Sequence, residues 1–338
     1  MNISILVPHF KEGRATAYAI SQLLKYKGKH DVEIIVIDNS NDSSVDYLFP
    51  FRGQVQYMPY KEGKLQSHGV AFDYALSLNL VDTEYFITME SDSFPTKDNW
   101  LDSYERLIDN GFDSAGSLLK LSGGQYVHPA GALYKKSIWQ ECKDYCDKIP
   151  YDYFPNMGMK EGFACHVMLR KDKTEQIVKE AGDYMELAEG YIGISPEQIM
   201  AKAEYYSPTK NPFHNGMGTL QESIKTYGFR DVNSGKIDVL IDDKQPIVYR
   251  IGYEPGQFIC YWQLAMNKKI ALIPTELKWM PNRGGQQQEY TLMDNGFKHI
   301  WCGSSYLGMA GGEMNDVYEF KKNQIERLYD SLPENQKI

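Results

Sequence analysis

Apolar and polar positions alternate in two rhythms along the first third of the chain. Ile3-Ser4-Ile5-Leu6-Val7 is a short, mostly apolar run closed by Pro8-His9-Phe10, and it predicts a buried strand. After Lys11-Glu12-Gly13, the stretch from Arg14 to Leu24 carries Ala17, Ile20, Leu23 and Leu24 at helical spacing. A second strand is expected from Val32 to Ile37, ending in the polar cluster Asp38-Asn39-Ser40-Asn41-Asp42, which is loop chemistry. A short strand at Val55 to Met58 follows, then the loop Lys61-Glu62-Gly63-Lys64. A helix from Ser67 to Leu78 comes next, with Val70, Tyr74, Ala75 and Leu78 on one side, and then a fourth strand from Tyr85 to Met89. Strand and helix in alternation predict an α/β fold, a mostly parallel central sheet with helices on its faces.

Three of these strands end in groups that can hold a ligand: His9, Asp38, and the triplet Glu90-Ser91-Asp92 followed by Ser93. Two carboxylates two residues apart converge on one hard cation when the backbone turns between them, and a strand end is where a turn is expected. Open α/β sheets bind ligands beyond the carboxyl ends of their strands, so one crevice can be lined by all three. Acids and serine also form ordinary turns, and the triplet alone leaves both readings open.

The pattern continues with a helix from Trp100 to Asn110 and an extended piece from Ser114 to Leu121. Pro129-Ala130-Gly131-Ala132-Leu133-Tyr134 comes next, preceded by His128, which could touch substrate but whose expected role is a structural hydrogen bond; a helix from Lys135 to Cys146 follows. Helices are expected at Lys173 to Gly182 and Pro196 to Tyr205, with a loop from Pro208 to Thr219. No repeat or low-complexity tract marks residues 150–250 as a linker. Regular patterning resumes near Tyr249: the loop Ile251 to Gly256, a helix from Gln257 to Asn267 and a strand within Lys268 to Pro274. A polar loop from Asn282 to Glu289 precedes Lys298-His299-Ile300-Trp301-Cys302, and Asp316 to Leu332 reads as an amphipathic helix.

Composition narrows the function classes. A net charge of -9 argues against a nucleic-acid partner or a polybasic membrane anchor. No apolar run approaches membrane-spanning length, and with Met1 to Ser4 leading straight into a strand no signal peptide is expected. The five cysteines are scattered; Cys142 and Cys146 would share a helix face, but without two further close ligands zinc is not expected. Buried thiols and a reducing, cytoplasmic compartment are the expectation. The 25 tyrosines offer flat faces with polar edges, suited to sugar or base stacking and equally to ordinary core packing.

The order Ile5-Leu6-Val7-Pro8, Glu33-Ile34-Ile35-Val36-Ile37-Asp38-Asn39-Ser40 and Glu90-Ser91-Asp92 resembles the nucleotide-binding half of family 2 glycosyltransferases, which have the GT-A fold. The resemblance covers roughly the first third of the chain, and it rests on the order and spacing of the motifs rather than on any one of them. It implies a nucleotide-sugar-binding half at 1–115 and an acceptor-binding half at 116–305. An insertion at about 150–250 would shape the acceptor pocket or an oligomer contact, and 306–338 would form a helical tail, all within one GT-A domain. It further implies that Asp38 meets the nucleoside, with Pro8, His9, Ser91 and Arg283 also on the donor. Glu90 and Asp92 would hold a divalent metal, Mn2+ or Mg2+, against the diphosphate. Glu90 departs from the aspartate usual at that place. His299 fits, by order along the chain, the late histidine that several such enzymes place on the metal. The acidic loop and helix around Glu254 resemble those carrying the catalytic base, although a carboxylate at a helix start is also a routine cap.

The implied activity is inverting transfer of a sugar from a UDP- or GDP-sugar to a glycan or other hydroxyl acceptor. Sugar-nucleotide pyrophosphorylases carry a Gly-rich basic loop after the first strand, which is missing here, and neither G-x-G-x-x-G nor a P-loop is present. A non-catalytic nucleotide- or carbohydrate-binding protein on the same scaffold and a nucleotidyltransferase stay open.

Overall fold

In the computed structural model, the described residues are 1–40, 42–60, 68–121, 124–148, 166–170, 236–240, 248–252, 315–338 and, between 255 and 300, all but 257, 258, 261, 264, 265, 267, 274, 280–286 and 293–295. The chain opens with β1 (Asn2–His9), α1 (Gly13–Tyr26) and β2 (Asp31–Asp38), then a 3-10 helix at Ser43–Phe51, β3 (Gln56–Pro59) and α2 (His68–Ser77). Next come β4 (Tyr85–Thr88), β5 (Ser93–Pro95), α3 (Trp100–Asp109), β6 (Ser114–Leu121), β7 (Gly124–Val127), β8 (Ala132–Lys135) and α4 (Lys136–Lys148). The later strands are β9 (His166–Arg170), β10 (Lys236–Leu240), β11 (Val248–Gly252), β12 (Ile270–Ile273), β13 (Thr275–Trp279), β14 (Gln287–Leu292) and β15 (Phe297–His299), and the helix Asn315–Asp330 is α5.

The central sheet runs β12-β6-β8-β4-β1-β2-β3, with β7 paired to β6. The pairs β1–β2, β1–β4, β2–β3 and β6–β12 are parallel, and β8 alone among these seven strands runs against its neighbours β4 and β6. This is the α/β fold with a mostly parallel sheet that the alternating pattern predicts. Sheet order reverses at β1: β2 lies on one side of it and β4 on the other, which opens a crevice at their carboxyl ends. Strand β1 is buried on both faces, as a central parallel strand must be. Ile3, Ile5 and Val7 share one cluster with Ala17, Ile20 and Leu23 of α1 and with Trp100, Leu101 and Tyr104 of α3. Helix α2 packs on β1 and β2, and none of its residues belongs to that cluster, in keeping with period-two side chains. Trp139 of α4 donates to the buried carboxylate of Asp73 on α2 at 2.6 Å, joining these two helices.

Two parts of the pattern came out differently. Gln287 to Glu289, expected as loop, begin β14, whose backbone pairs with β13 and β15; ladder hydrogen bonds do not depend on apolar side chains, so a polar strand leaves no periodic signal. β5 and β7 are likewise too short to show a period. Pro129 to Gly131 are a turn ahead of β8. Gly131 has a φ of 74°, and a Cβ there would stand 2.5 Å from the ring of Phe297, so glycine is required where β15 crosses this turn. The helices expected at 173–182 and 196–205 and the loop at 208–219 lie outside the described residues. Cys142 and Cys260 are buried and not in a disulfide. Among the described residues no helix is long and apolar enough to cross a membrane.

Candidate active site

The acid triplet lies in the turn between β4 and β5. Ser93 N–H donates to the Glu90 carbonyl at 3.0 Å, the Ser93 hydroxyl donates to that same oxygen at 2.7 Å, and Glu90 N–H donates to Ser93 Oγ at 2.9 Å. This closed turn brings both carboxylates to one side. His299, some two hundred residues later, joins them because β15 pairs antiparallel with β5, placing His299 opposite Ser93, and Ile300 N–H donates to the Asp92 carbonyl at 3.0 Å. Its Nε2 stands 3.0 Å from Asp92 Oδ1 and 3.1 Å from Glu90 Oε2. Lys321, buried on α5, donates to the Ile300 carbonyl and ties the C-terminal helix to this strand.

Two further imidazoles reach Glu90. His68 Nε2, from the start of α2, and His128 Nε2 each lie 3.4 Å from Glu90 Oε1. Ala130 N–H donates to His128 Nδ1 at 3.2 Å, which leaves the proton of a neutral ring on the nitrogen facing the carboxylate. The rings of His128 and His299 stack with centroids 5.5 Å apart. Electrostatics follow the crowding. Burial pushes the Glu90 carboxyl up, but His68, His299 and His128 together outweigh it and hold it below the usual carboxylate range. Burial pushes His299 down, and Asp92 and Glu90 reverse this and lift it to about 10. His128, where burial dominates, falls to about 3. Buried Glu12, at the end of the β1 loop, is raised well above its ordinary value by burial and then by Asp92 and Glu90.

Asp38 ends β2 beside β1. Its Oδ1 accepts from Ser40 N–H at 2.9 Å, and its Oδ2 accepts from the Tyr57 hydroxyl of β3. His9 Nε2 is 3.9 Å from Asp38 Oδ1, with its ring held between Thr16 (2.9 Å) and Ser44 (3.1 Å). Pro8 pairs with Ile37 in the β1–β2 ladder, and Ser91 is half-buried in the acid turn. The structure thus brings Glu90, Asp92 and His299 into one cluster and puts Pro8, His9 and Asp38 at adjacent strand ends. Glu254 and Arg283 lie outside the described residues. His68, Glu12 and Tyr57 were not singled out by the sequence: His68 and Glu12 flank helices as ordinary boundary residues, and Tyr57 reads as one ring of a strand.

The oxygens of Glu90 and Asp92 and the Nε2 of His299 all lie within 4.8 Å of one another. Two carboxylates and an imidazole are a donor set suited to a borderline transition ion, and Glu90 Oε1 is buried with no hydrogen bond. The other group of this kind among the described residues, His30, Asp102 and Glu105, is balanced by Lys29 and the N-terminal amine, and it staples α3 to the opposite edge of the sheet.

The reversing α/β sheet carries the acid–histidine cluster at the carboxyl edge of its strands. Residues 4–141 match the family model for glycosyl transferase family 2. No curated protein matches the chain. Among solved structures it is similar to S. aureus TarS residues 1–349 in complex with UDP (16% identity, TM-score 0.36, covering 57% of this chain and 55% of that one). It is also similar to the mannosyltransferase PcManGT from Pyrobaculum calidifontis in complex with GDP-Man and Mn2+ (14%, TM-score 0.34, 41% and 46%). The chain spans 32% of the longer TarS structure.

Proposed function

We propose that the protein is an inverting glycosyltransferase that moves a sugar from a nucleotide-diphosphate donor to an acceptor hydroxyl with a divalent metal. The observation that carries this reading is the convergence of Glu90, Asp92 and His299 at the β4 end, the two acids lying inside the region that matches the family model. These three residues would hold the ion, Mn2+ in preference to Mg2+ because of the imidazole. Held by these residues, the ion would supply positive charge against the negative charge that builds on the leaving diphosphate. Asp38 hydrogen-bonds the nucleoside, with Pro8, His9, Ser91 and Arg283 beside the donor. Glu254 accepts the proton of the acceptor hydroxyl as its oxygen bonds to the anomeric carbon and the bond from that carbon to the diphosphate breaks on the opposite face. The PcManGT structure was obtained with Mn2+ and a nucleotide sugar, in line with this assignment.

Melting temperature in the presence of UDP, GDP, CMP or dTDP, each with and without manganese, tests the donor site, since a ligand that binds only the native state raises it by mass action. At a hundredfold excess over Kd the stabilisation is about 2.7 kcal/mol. A rise with one diphosphate that requires manganese is expected; no rise with any of them would remove the basis for the assignment. Glu254→Gln is expected to lower turnover by about 10²–10⁴-fold with donor binding retained, as loss of a general base does. Unchanged turnover would take the base role away from Glu254.

A further inference from the structure

Asp38 is a buried carboxylate whose partners are unusual for a group assigned to ligand recognition. One oxygen accepts from Ser40 N–H at 2.9 Å and the other from the Tyr57 hydroxyl. Tyr57 itself is 42% exposed, a large aromatic ring left facing solvent on β3, in register with Val36 of β2. Burial, and then the hydrogen bond and charge of Asp38, raise its phenol further above neutral pH, so the hydroxyl proton stays in place and stays committed to Asp38. A phenol that has donated its only proton can act toward a ligand only as an acceptor, and a carboxylate is acceptor-only. The two groups therefore form one surface with two neighbouring acceptors and no donor. The Tyr60 N–H donates to the Asp38 carbonyl at 2.7 Å, fixing the β3 end against Asp38.

We infer that Tyr57 is a specificity-determining residue of the donor site, forming with Asp38 a paired acceptor that selects a nucleotide presenting two adjacent hydrogen-bond donors. This rests on the glycosyltransferase reading in which Asp38 meets the nucleoside. Two parts of a nucleoside diphosphate have this chemistry: the N1–H and N2 amino edge of guanine, and the vicinal 2′,3′-diol of any ribose. Uracil offers one N–H between two carbonyls, and those carbonyls would face acceptors. A purely structural Tyr57 would do no more than satisfy Asp38, and it would be indifferent to the nucleotide.

The experiment compares GDP, IDP, UDP and the 2′-deoxy forms of GDP and UDP, with manganese, on the wild-type chain and on Tyr57→Phe, by thermal shift and calorimetry. If the guanine edge is read, GDP binds the wild type at least about tenfold tighter than UDP and IDP, and Tyr57→Phe weakens GDP about five- to tenfold and erases that preference. If the diol is read, GDP and UDP bind alike, both deoxy forms bind about tenfold weaker, and Tyr57→Phe weakens only the ribo forms. Tyr57→Phe leaves the buried Asp38 Oδ2 without its phenol donor and is expected to lower the melting temperature without ligand, so binding is read as the shift each ligand adds to that baseline, and circular dichroism shows that the variant is folded. Nucleotide binding that is equal across all five ligands, or unchanged in Tyr57→Phe, overturns the inference while leaving the transferase reading standing. No binding of any nucleotide to either chain fails the transferase reading, and this inference with it.

Discussion

Asp92→Asn is expected to lower metal-dependent turnover by about a thousandfold or more, the scale of the several kcal/mol that a metal contributes at a developing charge. The substitution keeps the shape of the side chain and removes its charge. It also leaves the backbone carbonyl of residue 92 free to hold Ile300 N–H at 3.0 Å, so β15 stays where it is. His299 loses one of the two acids that raise it. The measurement pairs initial rates across a manganese titration with circular dichroism. A folded variant that turns over normally with manganese would show that the metal, if any, sits elsewhere. A folded variant whose manganese-dependent nucleotide binding is lost with its turnover is the expected result.

Phe297→Ala tests how the site is assembled rather than what it does. Phe297 is fully buried, its ring lies 5.8 Å from that of Trp100, and it covers Gly131. Truncation is expected to cost about 3–5 kcal/mol of stability, the range for burying a cavity in place of a phenyl ring. It also loosens the short strand that carries His299, so manganese affinity should fall although no ligand has been altered. Chemical denaturation gives the first quantity and a manganese-dependent melting shift the second. Phe49→Ala, on a ring that is 46% exposed, should stay within about 0.5 kcal/mol and serves as the control. A Phe297→Ala protein as stable as wild type, with unaltered manganese response, would mean that β15 is held by its backbone pairing alone.

Much of this was legible in local pattern. The near-continuous apolar runs of Ile3 to Val7 and Val32 to Ile37 read as buried strands, and the 3.6-residue spacing of Ala17, Ile20 and Leu23 as a helix laid on them. The Glu90-Ser91-Asp92 turn is also local: its closing bonds run between residues three apart, so the convergence of two carboxylates was written in a few consecutive positions.

What local pattern could not hold is the company those acids keep. His299 arrives through the pairing of a three-residue strand with another of three residues, and three residues are too few to show a period. His68 and His128 reach Glu90 because α2 packs on β1, the neighbour of β4, and the turn before β8 lies beside β4, and packing between distant segments depends on which surfaces are buried together. The same is true of Glu12, whose carboxyl is raised first by burial, and of Tyr57, whose role follows from lying one strand away from Asp38. The sequence by itself determined the sheet, its direction and the two-carboxylate turn, because hydrophobic periodicity and turn chemistry act over a few residues. Only the tertiary structure decided that three imidazoles surround one of those carboxylates and that a phenol caps the other strand's aspartate, because burial and long-range strand pairing set which charges must neutralise one another.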